Sequence, residues 1–124
     1  MNVIDSSGWI EFFLGTLAGQ IYKPVIEQTG QLIVPALSLF EVHQFLSNRA
    51  EAAQRDACLD IMRRGKVVPV TDARAIAASA VAQQHKLVMA DAVMYSIARE
   101  YEATFWTQDV DYQGLAGVQY TAKT

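Results

Sequence analysis

Residues 2–15 read NVIDSSGWIEFFLG, and this stretch indicates the fold class. A short apolar strand ends in an acid at Asp5, and the serines that follow can cap a helix. Gly15 is placed to end that helix. A strand followed directly by a capped helix is the unit from which parallel sheets are built, because parallel strands need a crossover connection.

The same alternation continues along the rest of the chain. Strands are predicted at 32–34, 67–70, 104–107 and 118–120, and helices at 17–28, 35–48, 51–64, 72–85 and from 91 onward. Asp72 is expected to cap one of these helices and Asp91 to begin another. The pattern predicts an α/β fold of three layers (αβα), with helices on both faces of a central, mostly parallel sheet of about five short strands.

The composition bounds the partners of the chain. A net charge of −3 argues against a general basic coat for nucleic acid, although it allows a local basic rim around an acidic centre. Apolar residues make up 52% of the 124 residues and charged residues only 19%. A small monomer cannot easily bury so much apolar surface, so we expect an interface, with a homodimer as the simplest form.

Several features predict a soluble cytoplasmic protein. Cys58 is the single cysteine, so the chain has no internal disulfide framework, which suits a reducing compartment. No basic segment followed by an apolar run indicates a signal peptide. The longest uncharged apolar segment, around 32–40, is too short to span a bilayer, so we expect no membrane association.

Acidic residues adjoin or interrupt the apolar stretches, at Asp5, Glu41, Asp91, Asp109 and Asp111. Ligands of parallel sheets bind at the carboxyl ends of the strands, where Asp5 and Asp109 are predicted to lie, with Glu41 and Asp91 on helices near the same edge. If these carboxylates converge, protonation or a hard divalent cation must relieve their repulsion. A cation would make this a nuclease-type metal site.

Most of these acids also have an ordinary structural interpretation. Asp5 and Asp91 could be helix caps, and Asp109 and Asp111 could be turn residues. Glu41 discriminates between the two interpretations. Leu37 and Phe45 lie one helical turn before and after it, so its side of the helix is apolar, and no Arg or Lys lies within one turn. A glutamate on an apolar stripe needs a buried partner or a function.

Other chemistries find little support. His43 and His85 lack zinc-like spacing, and neither a Ser-His-Asp arrangement nor a glycine-rich phosphate loop is identifiable. A receiver-type signalling domain would also be a doubly wound fold with an acidic metal site. It would need a second acid beside Asp5 and a late Lys-Pro, whereas the Lys23-Pro24 pair comes early.

Four segments of the chain resemble, in order and spacing, the motifs of PIN-domain nucleases, and are most similar to VapC toxins of toxin–antitoxin pairs. The segments are VIDSSGWIEF (3–12), ALSLFEVHQF (36–45), MADAVMYSIARE (89–100) and WTQDVDYQGLAGV (106–118). The resemblance covers nearly the whole chain and implies one PIN domain over residues 1–124.

The resemblance assigns roles to individual residues. It implies catalytic acids at Asp5, Glu41, Asp91 and Asp109, metal ligands at Asp5, Asp91, Asp109 and Asp111, and orienting hydroxyls at Ser7 and Thr107. Two positions depart from the family motif. Tyr112 stands in place of phenylalanine, a mild change, and Gln108 gives a less basic rim than the Arg or Lys of some relatives.

The implied activity is that of an endoribonuclease dependent on Mg²⁺ or Mn²⁺, which cleaves RNA to leave a 5′-phosphate. The implied partners are an RNA substrate, a cognate antitoxin protein and a second copy of the chain. A PIN-domain nuclease of RNA processing, and a PIN domain that binds without cutting, remain alternatives.

Overall fold

The computed structural model describes residues 1–123, and strands and helices alternate in it as predicted. The predicted domain range of 1–124 therefore extends one residue beyond the described part. The elements in chain order are β1 (Asn2–Ile4), α1 (Ser6–Leu14), α2 (Leu17–Glu27), β2 (Ile33–Pro35), α3 (Ala36–Leu46), α4 (Ala52–Met62), β3 (Lys66–Val68), α5 (Asp72–His85), α6 (Met89–Glu100), β4 (Thr104–Thr107) and β5 (Val118–Tyr120). Short 3₁₀ turns lie at Thr29–Gln31 and Val110–Tyr112.

The strands form a parallel sheet in two hydrogen-bonded sections. β1 pairs with β4 and β4 with β5, while β2 pairs with β3. A parallel bridge between Asn2 and Leu32 joins the sections, which gives the order β3-β2-β1-β4-β5. The chain runs outward from β1 first to one side and then to the other, so the switch point of the sheet lies between β1 and β4.

Helices cover both faces of the sheet, which confirms the predicted three-layer fold. Successive strand residues point to opposite faces. Val3 and Phe105 belong to the core beneath α5 and α6. Ile4 belongs to the second core, where it is buried with Trp9 of α1 and Met62 of α4.

One predicted helix cap and one predicted helix start were wrong. Thr71, and not Asp72, caps α5, since its Oγ1 accepts the backbone N–H of Arg74 at 3.2 Å. α6 begins at Met89, so Asp91 lies in the first turn of the helix and is not its cap. The apolar residues before Asp91 carry no turn signal, and the chain enters this helix without a side-chain cap. The Asp91 carboxylate therefore does not occupy the cap position of this helix.

Many of the exposed large apolar side chains belong to two parts of the surface, while Phe40 and Val110 are exposed elsewhere. The first region, on α1, α2 and the turn between them, contains Leu14, Leu17 and Ile21; the second, on and beside α5 and α6, contains Ile76, Val88 and Met89. Among the helices of residues 1–123, none combines the length and apolarity that crossing a membrane requires. Exposed apolar patches of this kind are typical of protein interfaces.

Candidate functional site

Four of the predicted acids line a single cavity of about 510 Å³ at the carboxyl ends of the strands. They are Asp5, Glu41, Asp91 and Asp109. Asp5 directly follows β1 and Asp109 closely follows β4, the two strands that flank the switch point. Glu41 lies in the middle of α3, and Asp91 in the first turn of α6. The fold therefore brings together acids that are remote from one another in the sequence.

A buried threonine fixes the two acids at the strand ends. Thr107 is fully buried, and its hydroxyl donates to Oδ2 of Asp5 at 2.8 Å. The hydroxyl oxygen of Thr107, Oγ1, also accepts the backbone N–H of Asp109 at 3.0 Å. Asp5 occupies the cap position of α1 but makes no side-chain capping bond. The Asp5 carboxylate therefore accepts a hydrogen bond from Thr107 and lines the cavity, and it does not cap the helix.

Asp5 is the most strongly perturbed of these carboxyl groups. Only 6% of the residue is exposed, and this burial is the main reason that its pKa rises from 3.8 to about 6. The hydrogen bond from Thr107 lowers the pKa, the charge of Asp91 raises it, and the Ser6 backbone N–H and the Asp109 charge have smaller opposing effects. A carboxylate held in this way gains stability from any cation that enters the cavity.

Asp91 is perturbed in the same direction. Partial burial is the largest cause that raises its pKa, and the charges of Asp109, Glu41 and Asp111 raise it further. The buried Tyr112 phenol opposes the shift because it lies close to the Asp91 carboxylate, although it makes no hydrogen bond of regular geometry within residues 1–123. Two neighbouring acids with raised pKa values are typical of functional sites.

Glu41 obtains its buried partner from a serine that the sequence did not single out. The hydroxyl of Ser6 donates to Oε1 of Glu41 at 2.7 Å, and Ser6 is itself buried. Ser7, the predicted orienting hydroxyl, lines the cavity, but its buried Oγ has no hydrogen-bond partner within residues 1–123. The two serines are adjacent in the sequence, so only the packing of α1 against α3 reveals which one reaches Glu41.

Asp109 and Asp111 form a turn as well as part of the acidic cluster. Oδ1 of Asp109 accepts the backbone N–H of Asp111 at 2.9 Å, so Asp109 stabilises a turn and also lines the cavity. Carboxylate oxygens of Asp91, Asp109 and Asp111 lie within 4.8 Å of one another. Asp5 is not part of this closer group, and Asp111 is exposed at its outer edge. Asp91 and Asp109 connect the inner acid Asp5 with the outer acid Asp111.

The donor atoms of this cluster suit a hard cation. Mg²⁺ binds oxygen ligands at about 2.1 Å, so two of its ligands lie at most about 4.2 Å apart. Oxygens within 4.8 Å of one another need only small side-chain adjustments to share an ion. Neither His43 nor His85 lines the cavity within the described range 1–123. An all-carboxylate set fits Mg²⁺ or Mn²⁺ better than zinc.

Two cationic residues that the sequence analysis did not identify also line the cavity, Arg49 and Lys123. Arg49 lies roughly two helical turns after Glu41 and beyond the end of α3, so it is farther along the chain than the single turn over which helical side chains contact one another. Within residues 1–123 the ion pairs are Arg63 with Asp60 and Arg74 with Glu100, so neither rim cation is paired with a carboxylate of the cavity.

Comparison with known proteins agrees with this architecture. The family model described as "PIN domain" matches residues 3–118. The fold is similar to that of a toxin–antitoxin complex from Klebsiella pneumoniae, with 19% identity, a TM-score of 0.81 and 96% coverage of both chains. It is also similar to VapBC2 from Rickettsia felis bound to a DNA fragment from their promoter, with 12% identity, a TM-score of 0.71 and coverage of 98% of this chain and 97% of the other.

A third similar structure is VapBC-5 from Mycobacterium tuberculosis, a member of the VapBC family of toxin–antitoxin systems, with 16% identity, a TM-score of 0.60 and 98% coverage of both chains. No curated protein matches the chain significantly. At these identities the structural likeness establishes the fold, while the family model establishes the kinship.

Proposed function

Since this chain belongs to the PIN domain family, we propose that it is a metal-dependent endoribonuclease that acts as a VapC-like toxin. The observation that carries the proposal is the cavity in which Asp5, Glu41, Asp91 and Asp109 meet at the switch point of the sheet. Family membership removes the receiver-type signalling domain from consideration. The intact set of acids favours a nuclease over a PIN domain that binds without cutting.

The residues that would hold Mg²⁺ or Mn²⁺ are Asp5, Asp91 and Asp109, with Asp111 contributing from the outer edge. When bound, such an ion supplies a water of lowered pKa and neutralises charge on the scissile phosphate and the leaving oxygen. The raised pKa values of Asp5 and Asp91 support this assignment, because burial beside other acids makes a cation favourable at both positions.

The protein's own groups orient the reaction. Thr107 holds Asp5 through Oδ2, and Ser6 holds Glu41 through Oε1. Oε2 of Glu41 is then available to accept a hydrogen bond from the attacking water and to position it against phosphorus. Hydrolysis would form a bond between the water oxygen and phosphorus and break the bond between phosphorus and the 3′ oxygen. One product then carries a 5′-phosphate, and the other carries a 3′-hydroxyl that has taken up a proton in place of the one the water releases. The unpartnered Ser7 hydroxyl can donate to a phosphate oxygen in the cavity.

The proposal is tested by RNA cleavage in Mg²⁺ or Mn²⁺ with the wild-type chain and the Asp5→Asn variant. We expect the wild type to cleave and the variant to lose at least about 100-fold in rate, since a metal ligand is removed. Asp56→Asn, on the exposed face of α4, is the matched control and should cleave normally. Unchanged cleavage by Asp5→Asn would remove this residue from the mechanism.

We propose that an antitoxin binds beside the acidic cavity, as the toxin–antitoxin complexes with this fold suggest. A second cavity of about 550 Å³ adjoins the first, and both are lined by Ser7, Ile10 and Phe45. The exposed residue Leu17 lines it as well. An amphipathic antitoxin segment in this groove could direct an Arg or Lys towards the carboxylates.

The antitoxin proposal has a direct test in cells. Expression of the chain alone should arrest growth, and the product of a small adjacent gene should rescue growth and co-purify with the chain. A nuclease of RNA processing is the alternative that fits the same cavity. Active cleavage without growth arrest, and without a co-purifying neighbour, would favour that alternative.

The second exposed apolar region is proposed as the homodimer interface. An apolar groove of about 440 Å³ between α5 and α6 is lined by Val70, Met89 and Val93 among others, and Met89 is largely exposed. Burial of such a surface by a second copy would stabilise the dimer. Light scattering should give the mass of a dimer, and a monomer at high concentration would contradict the proposal.

A further inference from the structure

Arg49 lies at the edge of the acidic cavity without pairing with any of its acids. It belongs to the connection between α3 and α4 and lines the cavity together with Glu41, Asp91 and Asp109. Its Nη1 donates to the Phe45 carbonyl at 2.9 Å, and its guanidinium carbon is 4.1 Å from the centre of the Phe45 ring. Phe45 therefore holds the guanidinium through both its backbone carbonyl and its aromatic ring.

This anchoring keeps a positive charge beside the carboxylates but separate from them. A long, flexible cation near several acids would ordinarily form an ion pair. Within residues 1–123 Arg49 has no such pair, and its hydrogen bond to Phe45 uses only one of its nitrogens. The other N–H groups of the guanidinium are available to an external acceptor.

Lys123 lines the same cavity and comes from a different part of the chain. Arg49 follows the helix that comes after β2, whereas Lys123 follows β5, and the sheet order places these strands on opposite sides of the β1–β4 pair. Lys123 also lines the adjoining cavity that contains Gln108 and Asp109. The cavity that holds the carboxylates therefore also carries two cations, which come from separate segments of the chain.

We propose that Arg49 and Lys123 bind the phosphates that flank the scissile phosphate, so that an RNA strand crosses the acids from the end of α3 to the segment after β5. This inference rests on the proposed nuclease function and specifies how the substrate lies in the site. A polyanion approaching a cavity lined by carboxylates needs compensating cations beyond a bound metal. Arg49 supplies a planar, multidentate phosphate donor and Lys123 a point charge.

The Phe45 ring favours a nucleic acid over an acidic protein segment as the occupant. An arginine stacked on an aromatic ring presents its other planar face to a base, and bases of single-stranded RNA stack on such surfaces. Arg49 can therefore hold a phosphate through its edge and support a neighbouring base through its face. An acidic peptide would interact only with the positive charge of Arg49 and not with the planar face of its guanidinium.

The test is single-turnover cleavage of a short single-stranded RNA in Mn²⁺ at several salt concentrations. For Arg49→Gln we expect the half-saturating enzyme concentration to rise about tenfold, with a smaller change in the maximal rate. The slope of log affinity against log salt should fall by about 0.7, the value for one phosphate contact on a single strand. Lys123→Gln should lower the slope by a similar amount.

Two further variants separate binding from structure. Arg49→Lys keeps the charge and should restore the salt slope while restoring the affinity only in part. Arg63→Gln removes an exposed cation that directly follows α4 and lines none of the cavities described above, and this variant should behave as the wild type. Calorimetric Mn²⁺ affinity should be the same for the wild type and Arg49→Gln.

The possible failures are distinguishable. If the wild type cleaves and both Arg49→Gln and Lys123→Gln retain its half-saturation and salt slope, the inference is wrong and the nuclease function stands. If the wild type does not cleave the RNA in Mn²⁺ at any salt concentration, both the nuclease function and the inference about Arg49 and Lys123 are wrong. If Arg49→Gln fails to fold, Arg49→Lys and Lys123→Gln decide, and wild-type affinity and slope in both would overturn the inference.

Discussion

At the scale of single residues, Asp5 is held in an environment that disfavours its charge. Its pKa is about 6 in the folded protein against 3.8 as the ordinary value. A group with a raised folded pKa stabilises the fold fully below the unfolded pKa, and this contribution is lost as the pH rises through the folded pKa. The window is therefore from about pH 4 to 6, and the ionised form at neutral pH costs up to about 3 kcal/mol.

The Asp5→Asn variant should for this reason be more stable than the wild type when metal is absent. At pH 8 in a chelator we expect its free energy of unfolding to be about 1–3 kcal/mol higher, because the amide carries no buried charge and still accepts from Thr107. The difference should vanish near pH 4, where the wild-type carboxyl is protonated. Thermal denaturation across this pH range measures it, with Asp56→Asn as the exposed control. If the variant is less stable than the wild type at pH 8, ionisation of the buried Asp5 carboxyl does not destabilise the fold as stated.

Thr107 allows a second test at this scale. Thr107→Val keeps the buried shape but removes both the hydroxyl donated to Asp5 and the oxygen that accepts from Asp109. We expect about 1–3 kcal/mol lower stability and a cleavage rate about 10- to 100-fold lower, since a ligand loses its orienting bond. Thr107→Ser retains the hydroxyl and should recover most of the rate in the same assay. Full activity of Thr107→Val would show that Asp5 needs no such orientation.

At the scale of elements, α6 and the turn after β4 position the shared acids. Asp91 lies in the first turn of α6, where the helix dipole favours a negative charge, and Asp109 is fixed by its bond to the Asp111 backbone. The turn uses the backbone of Asp111 and not its side chain, so changing that side chain leaves the turn intact. In the proposed metal site, the exposed position of Asp111 would let water take its place around the ion.

Asp91→Asn and Asp111→Asn should therefore differ in Mn²⁺ affinity. Asp91 belongs to both the inner cavity and the outer group of acids, so its loss should weaken binding by at least about tenfold. The loss of Asp111 should weaken binding only a few-fold. Isothermal titration calorimetry compares the two variants directly. Equal losses of Mn²⁺ affinity would show that Asp111 contributes as much to metal binding as Asp91.

The sequence predicts the elements well because each is specified locally. Gly15 ends α1 with a φ of 70°, and the apolar runs of β1 and β4 are short and bounded. The start of α6 was misplaced because Val88 offers no capping side chain to mark it. Contacts between elements were the harder part, since nothing local distinguishes Ser6 from Ser7 or indicates that Arg49 reaches the cavity.

At the scale of the whole molecule, the sheet order creates the site. β1 and β4 are neighbours although most of the chain separates them, and their ends place Asp5 beside Asp109. The convergence of the acids could be predicted from the fold class alone, because ligands of parallel sheets bind at the switch point. Which acids approach most closely could not, since that depends on side-chain positions: Asp111 joins Asp91 and Asp109, while Asp5 lies further in.

A bound cation should stabilise the entire fold, because the unfolded chain does not assemble the carboxylates. At a free Mn²⁺ concentration of about 100 times the Kd, the free energy of unfolding should rise by about 2.7 kcal/mol. Thermal denaturation with and without Mn²⁺ measures this, and Asp5→Asn should gain less at the same concentration. A melting temperature that Mn²⁺ leaves unchanged would indicate that the acids do not form a metal site.

The most direct measurement is the anomalous scattering of crystals soaked in Mn²⁺, which locates the ion and its ligands together. We expect Mn²⁺ in the acidic cavity, with oxygens of Asp5, Asp91 and Asp109 among its ligands at about 2.2 Å. Crystals that take up no Mn²⁺ in this cavity, or that show the Asp5 carboxylate facing away from an ion bound elsewhere, would contradict the claim that these acids gather to hold a metal.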